Sequence, residues 1–258
     1  MPPAEPRYPF LVLIDVSYST SFAPASGGEP DIVKIQAALN TVYARLRSPT
    51  KGDPLALTQH QVDVTVVAYS SSSTLLQKWT AAPDLPATAP TLSAGGGTFT
   101  GKALISALDV VLARQKRYKE QGLPRCGIPH IFHLTDGEAN DVKIDDGEWK
   151  VIQQRMASFA PTPDAQRLVL HRFVAPNGYK TNSMSATDSY GNPISGAQLL
   201  GRWFGNQTVT PLAEGTDNFQ QLAKLIVRTI TAVSQQAAAN REHLNGFGGK
   251  SLGDEANA

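Results

Sequence analysis

Asp15, Ser17 and Ser19 stand at alternate positions directly after the apolar run FLVLI, residues 10–14. One carboxylate and two hydroxyls offer only hard oxygen donors, which suit Mg²⁺ or Ca²⁺. A short unbroken apolar run predicts a strand buried on both faces of a parallel sheet. Donors released at the carboxyl end of such a strand lie where open α/β sheets place their sites. The same pattern also suits a plain Asx-type turn, so these three residues alone leave both readings open.

Two later stretches bear on that choice. GGGT at residues 95–98 carries the Thr98 hydroxyl into a helical pattern, and LTDGE at residues 134–138 puts Asp136 at the end of another apolar strand. Other chemistries fit less well. Gly96 and Gly101-Lys102 match most of a phosphate-binding loop, but residue 103 is Ala where a metal-holding hydroxyl is needed. An aspartyl-phosphatase loop built on Asp15 would need a second carboxylate where Ser17 stands. A calcium loop would need Gly at Thr20 and a bidentate Glu at Ser26. His130 and His133, three apart on a predicted strand, point to opposite faces and cannot share an ion. Ser17 has no identifiable His partner, and Cys126 sits alone in a Pro/Gly loop. Asp141, Asp145 and Asp146 form an acidic cluster that suits a solvated helix start better than a second ion site.

The elements that must position these groups alternate. Strands are predicted at residues 62–69, 74–79, 128–134, 167–174 and 208–211, besides the first. Helices are predicted at 31–46, 101–118, 146–159, 196–204 and 217–237, the last with an apolar face of Leu222, Leu225, Ile226 and Ile230. SSSS at residues 70–73 suggests a hairpin, which makes the strand at 74–79 antiparallel. The fold class is therefore α/β: a doubly wound, mostly parallel central sheet with one antiparallel edge strand and helices on both faces. Residues 81–97 must climb back across the sheet, and extended chain at about 3.3–3.6 Å per residue allows it. Asp15, Ser17, Ser19, Thr98 and Asp136 can then converge on one edge.

The chain's 258 residues suffice for one sizeable domain, and 41% apolar residues with 17% charged ones describe an ordinary globular protein. A net charge of +1 gives no footprint for nucleic acid. Cys126, the only cysteine, permits no intrachain disulfide. No run approaches the roughly 18 apolar residues of a membrane span. With no secretory pattern at the start, the expectation is a cytoplasmic protein. Residues 1–8 read as an N-terminal extension, 9–238 as the domain and 239–258 as a disordered polar tail.

Asp15-x-Ser17-x-Ser19, GGGT with Thr98 and LTDGE with Asp136, taken together, resemble the metal-ion-dependent adhesion site of von Willebrand factor A domains. Within that family the segments are most similar to bacterial tellurite-resistance-associated proteins. The resemblance implies a non-enzymatic module that binds Mg²⁺ (or Mn²⁺; Ca²⁺ fits less well). Ser17, Ser19 and Thr98 would be direct ligands, with Asp15 and Asp136 binding directly or through water. It implies a partner protein that offers an acidic residue to the ion, in stress or defence signalling beside a kinase or phosphatase. Two departures concern partner choice: Tyr18 stands where the family usually has a small residue, and residues 21–27 lengthen the following loop. The rival readings are a metal-dependent hydrolase or phosphatase using the same ion, and a structural module whose site is unused. Residues 176–194, rich in Gly, Asn and Ser with Tyr179 and Tyr190, read as a recognition loop or an inert insertion.

Overall fold

The computed structural model describes residues 5–23, 27–123, 128–135, 141, 147–159, 168–174, 186–187, 193–194, 209–211 and 216–247. Asp136, Cys126, Asp145, Asp146, the predicted helix at 196–204 and most of residues 176–194 lie outside them.

Among the described residues the chain forms eight strands and four α-helices. The strands are β1 (Tyr8–Asp15), β2 (Val62–Tyr69), β3 (Ser73–Ala81), β4 (His130–Thr135), β5 (Val169–Val174), β6 (Ala186–Thr187), β7 (Pro193–Ile194) and β8 (Val209–Pro211). The helices are α1 (Asp31–Arg47), α2 (Thr100–Glu120), α3 (Gly147–Ala157) and α4 (Thr216–Phe247). Six strands form one sheet in the order β3-β2-β1-β4-β5-β8. Only β3 runs antiparallel, paired with β2, and the other neighbours are parallel. Within the segment expected to be a loop, β6 and β7 make a separate antiparallel pair.

Burial on both faces explains why β1 reads as a continuous apolar run. Phe10, Val12 and Ile14 pack on the side of α1 and α4, while Leu11 and Leu13 pack on the side of α2 and Ile152 of α3. Each helix supplies a matching stripe. On α4 this is Phe219, Leu222, Ala223, Ile226, Val227 and Ile230, at helical spacing. Leu225, predicted for that stripe, is 43% exposed, because the face is centred one turn-row away on Phe219, Ala223 and Val227. α4 runs 32 residues, about 48 Å, and continues past the predicted end at Ala237. Its midpoint is pinned to the amino-terminal edge of the sheet by Ser234, whose hydroxyl is 2.7 Å from that of Thr58.

The same edge holds a buried carboxylate. Asp63, the second residue of β2, takes Arg114 of α2 at 2.6 Å, the hydroxyl of Tyr118, and Arg7 at 3.4 Å. On the α1/α4 face His130 lies against Phe10, and His171 stacks on both His130 and Phe132. Among the described residues no helix is long and apolar enough to cross a membrane.

Candidate metal centre

The chain leaves β1 toward β2 on one side and reaches β4 on the other, so β1 and β4 flank the point where the winding reverses. Open α/β sheets place their sites at such a point, outside the carboxyl ends of the strands. Asp15 is the last residue of β1, and Thr135 the last of β4.

Asp15 is fully buried and continues the odd-numbered face of β1, so its carboxylate turns toward α2. One oxygen accepts the backbone N–H of Ser17 at 2.8 Å. The other accepts the Thr135 hydroxyl at 3.0 Å and lies 3.4 Å from the Tyr69 hydroxyl. Register explains the last contact, because Tyr69 is the β2 partner of Asp15. The Tyr69 hydroxyl is also 2.8 Å from Nε2 of His133 and 3.4 Å from the Thr100 hydroxyl. If His133 Nε2–H donates to Tyr69, the tyrosine proton is free to donate to Asp15. A buried polar chain therefore fixes Asp15 from both neighbouring strands, β2 and β4.

Past Asp15 the backbone enters a short 3-10 turn, Tyr18–Ser21. The hydroxyls of Ser17 and Ser19 come to 3.0 Å of each other. This turn is zipped to the glycine-rich loop: Gly95 N–H donates to Val16 O at 2.8 Å, and Tyr18 N–H to Gly96 O at 3.0 Å. Thr98 is brought to the same edge and is 2% exposed. Gly96 has φ +80°, and a Cβ there would sit 2.8 Å from the Ser71 hydroxyl, so both conformation and space call for glycine. The β2–β3 hairpin is the buttress. Ser71 Oγ accepts Gly97 N–H at 2.8 Å, and Ser70 O accepts Phe99 N–H at 3.0 Å. The serine run that marks the hairpin thus also seats the loop carrying Thr98.

Of the five predicted ligands the structure brings Asp15, Ser17 and Ser19 into contact, and carries Thr98 on the loop bonded to their turn through Gly95 and Gly96. Asp136 lies outside the described residues, directly after Thr135 on β4. The donor set is chemically uniform, three hydroxyls and a carboxylate, all hard oxygens, and so fits Mg²⁺ or Mn²⁺ better than a softer ion. Among the described residues no group of three or more His, Cys, Asp or Glu gathers for a metal.

Asp141 corrects an expectation. Its carboxylate does not start its own helix; it accepts the backbone N–H groups of Gly101 and Lys102 at 3.0 and 2.9 Å. It caps the amino terminus of α2, three residues beyond Thr98, from 40 residues further along the chain. Burial pushes this carboxyl up, and the two N–H groups oppose the shift. Tyr69, His133, Thr135 and Asp141 all escaped the sequence reading as parts of the site. His133 does point away from His130, onto the α2 face as expected. The Tyr18 side chain turns outward, 61% exposed, against the ring of Phe22 at 4.9 Å, and so does not crowd the hydroxyls.

No protein-family model matches the chain, and no curated protein does. Its fold is shared with solved structures. A von Willebrand factor type A protein from Catenulispora acidiphila is 14% identical with a TM-score of 0.56, over 87% of this chain and 43% of that one. The pilus adhesin SpaC from Lactobacillus rhamnosus GG is 12% identical with a TM-score of 0.53, over 89% of this chain and 31% of that one. A single-substitution form of the PilB minor pilin from Streptococcus sanguinis is 12% identical with a TM-score of 0.50, over 88% and 62%. The chain spans less than two thirds of each of these proteins. The fold is of the von Willebrand A type.

Proposed function

We propose that this von Willebrand A-type domain is a metal-dependent protein-binding module. The observation that carries the reading is the hydroxyl pair of Ser17 and Ser19, 3.0 Å apart beside the buried carboxylate of Asp15. Ser17, Ser19 and Thr98 would hold a Mg²⁺ or Mn²⁺ ion, with Asp15 and Asp136 completing the set. A bound ion would supply a Lewis acid whose charge three neutral hydroxyls leave largely uncompensated, and so a seat for an Asp or Glu of a partner protein. The chain's own part is orientation: Ser17 N–H, Thr135 and Tyr69 fix Asp15, and the Ser70–Ser71 hairpin seats the Thr98 loop.

The fold shared with a pilus adhesin and a minor pilin supports a protein-binding role. A cytoplasmic place in bacterial tellurite or stress resistance, beside a kinase or phosphatase, rests on the motif resemblance alone. The hydrolase reading has less support. His133, the imidazole in the polar chain, is fully buried with its Nε2 engaged by the Tyr69 hydroxyl.

Calorimetric titration of Mn²⁺ into the parent chain and into Thr98→Ala tests the ion site. Saturable binding that weakens at least tenfold in the variant is expected; equal affinities would remove Thr98 from the site. Capture of partners from cell extract, with Mg²⁺ and with EDTA, tests the role. A partner list unchanged by EDTA would leave a structural module.

A further inference from the structure

Tyr18 and Phe22 are two large aromatic side chains on the same rim as the hydroxyl pair, 61% and 52% exposed. They meet edge to face, with ring centroids 4.9 Å apart and planes at 83°. Their backbone is tied down. Tyr18 N–H donates to Gly96 O, Thr20 N–H to Ser17 O and Phe22 N–H to Ser19 O. The Thr20 hydroxyl adds a 2.8 Å bond to Ser17 O, and the Ser21 hydroxyl a 2.7 Å bond to Tyr18 O. The pair is therefore preorganised, and a partner that covers it orders little additional chain.

Position decides what covers it. Tyr18 lies between Ser17 and Ser19 in the chain, so a carboxylate reaching those hydroxyls brings its neighbouring residue over the aromatic pair. Further along the rim Lys102 holds its ammonium 5.0 Å from the Phe99 ring. The described rim thus offers a cation and exposed aromatic surface, and its carboxylates, Asp15 and Asp141, are engaged inward with Thr135 and with the amino terminus of α2. That complements an acidic residue next to an apolar one.

We infer that Tyr18 and Phe22 form a specificity shelf beside the ion site, which selects partner segments in which the Asp or Glu is flanked directly by a large apolar or aromatic residue. This rests on the metal-bridge reading and narrows it from any acidic partner to an acidic–apolar sequence. Exposed aromatics that become buried at an interface commonly dominate its affinity.

The probe is an array of short peptides with a central Asp or Glu and each of the twenty residues in turn at the flanking positions. The full chain is applied in Mg²⁺ and in EDTA. The expected result is Mg²⁺-dependent retention on spots with Leu, Met, Phe, Tyr or Trp beside the acid, about tenfold above Ser- or Gly-flanked spots. The double variant Tyr18→Ser, Phe22→Ser should lose that preference while Mn²⁺ affinity by calorimetry stays at the parent value. Equal Mg²⁺-dependent retention on all acidic spots, in parent and double variant alike, would overturn the shelf and leave the metal bridge standing. Absence of any Mg²⁺-dependent retention, together with Thr98→Ala behaving as parent, would overturn both.

Discussion

Thr135 donates its hydroxyl proton to the carboxylate of Asp15 at 3.0 Å, joining residues 120 apart in the chain. The bond ties the ends of β1 and β4, the two strands that flank the point where the winding reverses. It makes the geometry of Asp15 depend on the strand that leads into Asp136. Thr135→Val keeps the shape and the β-branch but removes the donor. The expected outcome is a roughly 10-fold weaker Mn²⁺ affinity, as for loss of other groups that orient metal ligands. The stability cost should be about 1–2 kcal/mol. Calorimetry and urea unfolding on the same preparation separate the two, and unchanged Mn²⁺ affinity would confine Thr135 to a role in the sheet.

Asp141 gives a second prediction. Its two bonds to Gly101 and Lys102 hold the start of α2 where the Thr98 loop enters it. Asp141→Ala should cost about 1 kcal/mol, the usual loss for a helix cap. It should also weaken Mn²⁺ binding, because the Thr98 loop loses its anchor. Stability lost with Mn²⁺ affinity intact would mean that Asp141 only caps the helix.

These two residues show where sequence reasoning stops. The strand ending in Asp15 was legible because burial on both faces writes a continuous apolar run. The serine run at residues 70–73 marked a hairpin and with it the antiparallel place of β3. Tyr69 and His133 were not legible, because each sits inside a strand where a polar atom looks like any core residue. Only the pairing of Asp15 with Tyr69 across β1 and β2 makes them neighbours. Asp141 was assigned to the wrong helix for a related reason. A carboxylate in a loop can cap whichever amino terminus folding brings near it, and spacing records only the local one. The long α4 was cut short because Asn240 and Gly246 read as breakers, although the Gln- and Ala-rich stretch before them favours helix.

Asp63 tests the opposite edge. Its carboxylate sits against Arg114 at 2.6 Å, the Tyr118 hydroxyl and Arg7, almost wholly shielded from water. Tyr118 is held well above the ordinary phenol range, first by burial and then by the Asp63 charge. Asp63→Ala leaves the Arg114 guanidinium without its partner, and breaking a buried pair from one side costs about 3–5 kcal/mol. Mn²⁺ affinity of the folded variant should equal the parent's, since the site lies at the other end of the strands. A loss under 1 kcal/mol in urea unfolding would show that Arg114 is solvated and the pair contributes little.

The histidine pair predicts how the fold responds to acid. His130 Nδ1 lies 3.0 Å from His171 Nε2, with the rings stacked 5.3 Å apart between Phe10 and Phe132. One neutral ring can donate to the other, but two charged rings cannot share that contact. Burial first, and the neighbouring His171 second, push His130 down to about 4, and burial also lowers His171. In the unfolded chain both should titrate near 6.5. Between those values the unfolded state binds more protons, so stability rises with pH. The stabilisation is complete above about 6.5 and is lost as pH falls toward 4. For His130 alone the shift corresponds to about 3 kcal/mol. Urea unfolding at pH 7.5, 5.5 and 4.5 should show this decline in the parent. His130→Phe, which keeps the aromatic stack and removes the proton site, should show a shallower slope over the same interval. Parallel slopes would move the acid sensitivity to other groups and leave the histidine pair as packing.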